Sequence, residues 1–133
     1  MQWAGRIYRQ KAIWEELQFY LDLTEHPNAI SVLFRVLLEL SVDNYISQTS
    51  LATINSGDKL AQRVVKVGAD LNAKGKIDTK YLGLLKKLPQ QDNLFSMDTL
   101  NRYVHSPNFA PSPDHLTAMW DVIAVFVVQC LNA

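Results

Sequence analysis

Apolar residues recur three and four positions apart along most of the chain. That spacing lines one face of an α-helix. No stretch alternates apolar with polar as a half-buried strand does, and no Asn-Gly or Asp-Gly dipeptide marks a hairpin. The first helix is expected from about Arg6 to Asp22. Ile7, Ile13, Trp14, Leu17 and Leu21 supply its apolar contacts, with Phe19 and Tyr20 beside them. Trp3 and Ile7 stand very early in the chain. They read either as residues that pack on something or as a sign that the chain was cut from a longer one.

Pro27 opens the second helix, because the N–H it lacks is not needed at a first helical position. This helix is expected to reach about Ile46. Ile30, Leu33, Phe34, Leu37 and Leu38 form one broad face, and Val32, Val36 and Leu40 extend it. A helix apolar almost all round is a central one. Its polar positions, Ser31, Arg35, Glu39 and Asp43, fall on one line spaced by four. A polar loop from Ser47 to Gly57 precedes a third helix over about Asp58 to Ala73, striped by Leu60, Val64, Val67 and Leu71. Gly75 ends it as a left-handed residue would. A fourth helix is expected over about Asp78 to Leu88, burying Tyr81, Leu84, Leu85 and Leu88, with Pro89 as its stop.

A short fifth helix is expected from Ser96 or Asp98 to His105. The following loop holds Pro107, Pro111 and Pro113 and cannot be helical. Ser112, Pro113 and Asp114 then cap and open the last helix. It runs to about Asn132 and carries Leu116, Met119, Trp120, Ile123, Phe126, Val127, Cys130 and Leu131, with Val122, Val125 and Val128 on its other sides. The expected architecture is all-α: a bundle of about six helices with the second and last at its centre. The last helix has more apolar surface than a chain this size easily covers. Trp120, Ile123, Phe126 and Val127 are the expected interface for a second copy or a neighbouring domain. The alternative is a helix buried within the chain itself.

Composition narrows the class. The 133 residues suit a single domain, 1–133. Thirteen basic residues balance thirteen acidic ones, against a protein that binds nucleic acid or membrane by bulk charge. Cys130 is the single cysteine, so neither an internal disulfide nor a multi-cysteine zinc site is expected. The longest apolar stretch, Ala118 to Leu131, contains Asp121 and Gln129 and reads as too short for a bilayer. The expectation is a soluble, cytoplasmic domain without metal or cofactor.

Charge is unevenly distributed. Residues 58–87 hold eight basic and three acidic groups. Lys59, Arg63, Lys66, Lys74 and Lys76 form either an ordinary solvated face or a patch for nucleic acid or an acidic partner. Among the three histidines, His26 reads as a turn residue and His115 as an exposed first-turn residue. His105 stands one helical turn after Asn101. Imidazole moves protons near neutral pH, and a neighbouring amide can orient it or hold a phosphate oxygen. RNA cleavage through the adjacent 2′-hydroxyl needs that, a cation, and no metal. The same pair can equally tie a short helix to its loop. Arg35 needs a partner on an apolar helix. Glu39 supplies one as a structural ion pair, or Arg35 serves His105 as the phosphate-holding cation.

Two segments together resemble the HEPN-like helical domains of prokaryotes. One is Ala29-Ile-Ser-Val-Leu-Phe-Arg35-Val-Leu-Leu-Glu39-Leu. The other is Leu100-Asn101-Arg-Tyr103-Val104-His105-Ser-Pro-Asn-Phe-Ala-Pro-Ser-Pro, followed by a helix with Trp120-Asp121. The second is similar to the C-terminal helical module of bacterial proteins that begin with a ParB-like domain and occur in defence and mobile-element settings. The resemblance implies an HEPN-like bundle spanning about residues 28–131, in the C-terminal part of a longer protein. Active HEPN domains carry an Arg-Asn-x-x-x-His motif and cut RNA without metal, usually across a dimer interface. Asn101 and His105 match that motif, but Leu100 occupies the arginine position. The resemblance therefore implies a dimerisation or scaffold module that has lost catalysis. The alternative is a metal-independent endoribonuclease, a toxin or defence effector, in which Arg35 replaces the missing cation.

Overall fold

A computed structural model describes residues 4–87 and 113–133, and among them there is no strand. A 3-10 turn over Gly5–Ile7 leads into α1, Tyr8–Glu15, which widens into a π-turn over Glu16–Tyr20. Then come α2, Pro27–Thr49; α3, Leu60–Ala73; α4, Thr79–Lys86; and α5, Pro113–Leu131. The all-α class is the one observed. The expected fifth helix, over Ser96 or Asp98 to His105, lies outside the described residues.

Local chemistry sets the helix ends. Pro27 is the first residue of α2. Ser50, at φ 51°, turns left-handed after Thr49, and its N–H reaches the carbonyl of Ile46. The helix thus continues through Ser47, Gln48 and Thr49, which the sequence assigned to a loop. The Gln62 side chain accepts from the Lys59 N–H at 2.8 Å and caps α3. Gly75, at φ 72°, closes its far end as expected, with the Lys76 N–H returning to the carbonyl of Leu71 at 2.9 Å. The Asp78 carboxylate caps α4 by accepting from the Tyr81 N–H at 2.7 Å.

The hub is α2, which packs against α1, α3 and α5, while α4 packs on α3. Leu37, Leu38 and Val42 are wholly buried on it, in one core with Phe126, Val127 and Cys130 of α5 and Val64 and Val67 of α3. Burying a large apolar side chain is worth about 1.5–3 kcal/mol. Polar contacts add direction. Asn44 Nδ2 donates to the carbonyl of Cys130 at 3.0 Å, tying α2 to α5. Tyr81 enters the backbone ladder of α5: its hydroxyl donates to the Val122 carbonyl and accepts from the Phe126 N–H at 3.1 Å. A side chain between such groups locks α4 to a fixed height on α5.

Three expectations change. Phe19 and Tyr20, expected among the apolar contacts of the first helix, are 75% and 76% exposed on the π-turn. The last helix is 19 residues long and its most apolar 18-residue window has a mean hydropathy of 1.4, so by length and composition it is long and apolar enough to cross a membrane. Counting from Ala118 missed its first turn, where Leu116 is already core. Ile123, Phe126 and Val127 are buried by the chain itself, not presented to a second copy.

Candidate functional site

Two surfaces and one side-chain cluster stand out. The first surface is an apolar groove of about 140 Å³ between the π-turn, α2 and α5, lined by Leu17, Leu21, Leu23, Ile30, Phe34 and Trp120. Aromatic contacts build its wall. The Trp120 ring lies 5.3 Å from Trp14 and meets Phe34 edge-on at 5.6 Å. Trp120, expected at an interface, is thus half-buried in this wall. Beside the groove Phe19 and Tyr20 point to solvent, and farther along α1 Tyr8 does so too, at 75% exposure. Exposed aromatics gathered on one element mark contact surfaces more often than single ones do. On α5 the outward apolar position is Val125, half-exposed.

The cluster joins α2 to α3. Tyr45 donates to Asp70 Oδ2 at 2.5 Å, and Lys74 Nζ lies 2.9 Å from the same carboxylate and 3.3 Å from the phenol oxygen. That ammonium also sits 5.4 Å from the Tyr45 ring centre. Burial, with the Asp70 hydrogen bond behind it, pushes the Tyr45 phenol above its ordinary value. The Tyr45 hydrogen bond, then Lys74, hold the Asp70 carboxyl below its own. Every group in the cluster is held in its usual neutral-pH state, so it works as a joint between helices and offers no free base. A cavity of about 150 Å³ opens beside it, lined also by Thr49, Lys76 and Gln129.

The basic patch proposed from sequence is divided. Arg63 pairs with Asp43 at 2.6 Å, Lys66 with Asp58 at 2.6 Å, and Lys74 with Asp70. Lys59 and Lys76 are exposed and make no ion pair among the described residues. A phosphate backbone would have to compete with three carboxylates for this face. The sequence could have hinted at this, since Asp70 stands four residues before Lys74 and Asp58 opens the same helix.

Asn101 and His105 lie outside the described residues, as do Asp98, Leu100 and Arg102. Arg35 is half-buried on α2, and its Nη2 lies 3.9 Å from Glu39 Oε1, the limit of an ion pair. Its Nη1 is buried with no hydrogen-bond partner among the described residues. His26 behaves as a turn residue, its Nδ1 accepting from the Asp22 N–H at 3.0 Å. Among the described residues no three of His, Cys, Asp and Glu gather as metal ligands. Set against known proteins, the chain matches no family model, no curated protein and no solved structure.

Proposed function

We propose that this chain is a helical interaction module, an HEPN-like bundle that self-associates or holds a neighbouring domain and performs no chemistry itself. Its setting on this reading is the cytoplasm of a bacterium, within a defence or mobile-element protein. The observation that carries the reading is the pair of solvent-facing aromatics Phe19 and Tyr20 beside an apolar groove, with Tyr8 exposed farther along α1. Such a surface costs solubility unless something covers it. Leu100 supports the non-catalytic half, since it stands where an HEPN nuclease has the arginine that contacts the scissile phosphate. The test is RNA incubated with the folded chain in EDTA. Intact RNA is expected with wild type and His105→Ala alike. Cleavage by wild type that disappears in His105→Ala overturns the reading.

One observation favours a second reading. The Arg35 Nη1 is a buried donor with no partner among the described residues, and such a group calls for an explanation. In a metal-independent endoribonuclease it would hold the scissile phosphate while His105 moves the proton and Asn101 orients it. That reading predicts cleavage in EDTA, abolished by His105→Ala and reduced by Arg35→Ala.

A further inference from the structure

The outward face of α1 and its π-turn has a definite order. Tyr8, Ala12 and Phe19 are exposed and stand at helical spacing, with Tyr20 beside Phe19. The row from Tyr8 to Phe19 is roughly 16 Å long at the helical rise per residue. Charge follows the same direction. Arg9 and Lys11 lie in the first half, Glu15 and Glu16 in the second. Lys11 and Glu15 approach each other only to 3.9 Å, and Arg9 and Glu16, both exposed, have no ion-pair partner among the described residues.

We infer that a second copy of this chain covers this face, α1 lying antiparallel on α1 about a two-fold axis level with the step from Ala12 to Ile13. This rests on the interaction-module reading and names its partner. A two-fold contact uses the same patch twice, so the patch must complement its own reverse. This one does. Reversal sets Arg9 opposite Glu16 of the partner subunit, a pairing that occurs twice, and brings Tyr8 toward the π-turn that carries Phe19 of the partner subunit. Ala12 is small, so the two helix axes can approach at the centre. A parallel arrangement would place like charges together.

The size of the patch sets the strength of the contact. Three aromatics at about three-quarters exposure offer roughly 350–550 Å² per copy. This is below the ~800 Å² per partner of a standard specific complex, the range of weak and transient contacts. The expected contact is therefore a reversible dimer, weak enough to dissociate at about micromolar concentration. The rim charges set register and exclude other pairings more than they add affinity.

Sedimentation velocity from about 1 µM to about 1 mM tests the arrangement. The wild-type chain is expected to pass from monomer to dimer. Arg9→Glu and Glu16→Arg are each expected to weaken the dimer about tenfold or more while leaving helicity unchanged. Mixed in equal amounts, the two variants are expected to pair with each other, because opposite charges then face again. A dimer that ignores these charges overturns the α1 contact and leaves the module reading in place. A chain that stays monomeric throughout overturns the contact and the self-association with it. Binding to vesicles of phosphatidylcholine and phosphatidylserine, lost in Phe19→Ser with no dimer formed, also overturns it in favour of a lipid surface. RNA cleavage in EDTA overturns the module reading without bearing on the contact.

Discussion

Gly68 and Gly83 make a matched pair whose substitutions should differ in sign. Both lie inside helices, Gly68 in α3 and Gly83 in α4. Alanine at either position gains about 0.8–1 kcal/mol of helix propensity over glycine. At Gly83 a Cβ meets nothing within 4 Å, so the gain stands. At Gly68 the added Cβ would lie 2.8 Å from Leu85 Cδ1 and 3.3 Å from Leu82 Cδ1. Leu85 is wholly buried and cannot move aside into solvent. Forcing an extra carbon into a close-packed core costs about 1–3 kcal/mol. The expected outcome is that Gly83→Ala stabilises by about 0.5–1 kcal/mol and Gly68→Ala destabilises by about 1 kcal/mol. In a chain of this size the Tm should move roughly 2–4 °C up and roughly 3–5 °C down. Urea and thermal unfolding followed by circular dichroism read both. Leu85→Val removes the δ-methyls and should make the Gly68→Ala change less costly in a double-mutant cycle. If Gly68→Ala raises the Tm as much as Gly83→Ala does, the close approach of α4 to α3 is refuted.

Ionisable groups supply the remaining predictions. Burial pushes the Tyr81 phenol from 10.0 up to about 12. The folded chain favours its neutral form, so this stabilisation is full below pH 10 and drains away as pH rises toward 12. With Tyr81 partly reached by solvent, about 1–2 kcal/mol is at stake, and Tyr81→Phe should flatten the alkaline limb of a stability–pH curve. An unchanged limb refutes the buried phenol. The Asp70 carboxyl is held below 3.8, first by Tyr45 and then by Lys74. Its contribution is present above that value and is lost as pH falls through the lowered one, so Asp70→Asn should make acid unfolding less steep, and equal steepness would count against the cluster. Burial pushes the Cys130 thiol well above 9.0. A thiol reagent at pH 8 should label it only as fast as the chain opens, and rapid labelling of the folded chain would contradict its place in the core.

The helices were legible wherever spacing and punctuation agreed. The stripes of α3 and α5, Pro27 at the head of α2 and Gly75 at the foot of α3 needed no tertiary information, because each acts within a turn or two of chain. Local rules fared less well where two segments meet. Ser47 to Thr49 look like loop residues, yet the helix runs through them, with the Thr49 hydroxyl donating to the Tyr45 carbonyl at 2.8 Å. Phe19 and Tyr20 are apolar yet lie outside, because hydrophobicity alone does not say which side of a turn meets the core. The basic patch was legible as charge but not as pairing, since Asp43 reaches Arg63 across a loop.

By itself the sequence determined an all-α chain, most of its helix limits and the buried stripes of α3 and α5, since these follow from periodicities of a few residues. On α4 it pointed to Tyr81, Leu84 and Leu85, whereas Leu82 and Leu85 are the buried pair. Only tertiary structure decided which neighbour each stripe meets. It put Ile123, Phe126 and Val127 against α2, set the Tyr81 hydroxyl between two backbone groups of α5, and left Tyr8, Phe19 and Tyr20 uncovered. Burial depends on residues far apart in the chain, and the helical period that gives a residue its face does not say what that face will touch.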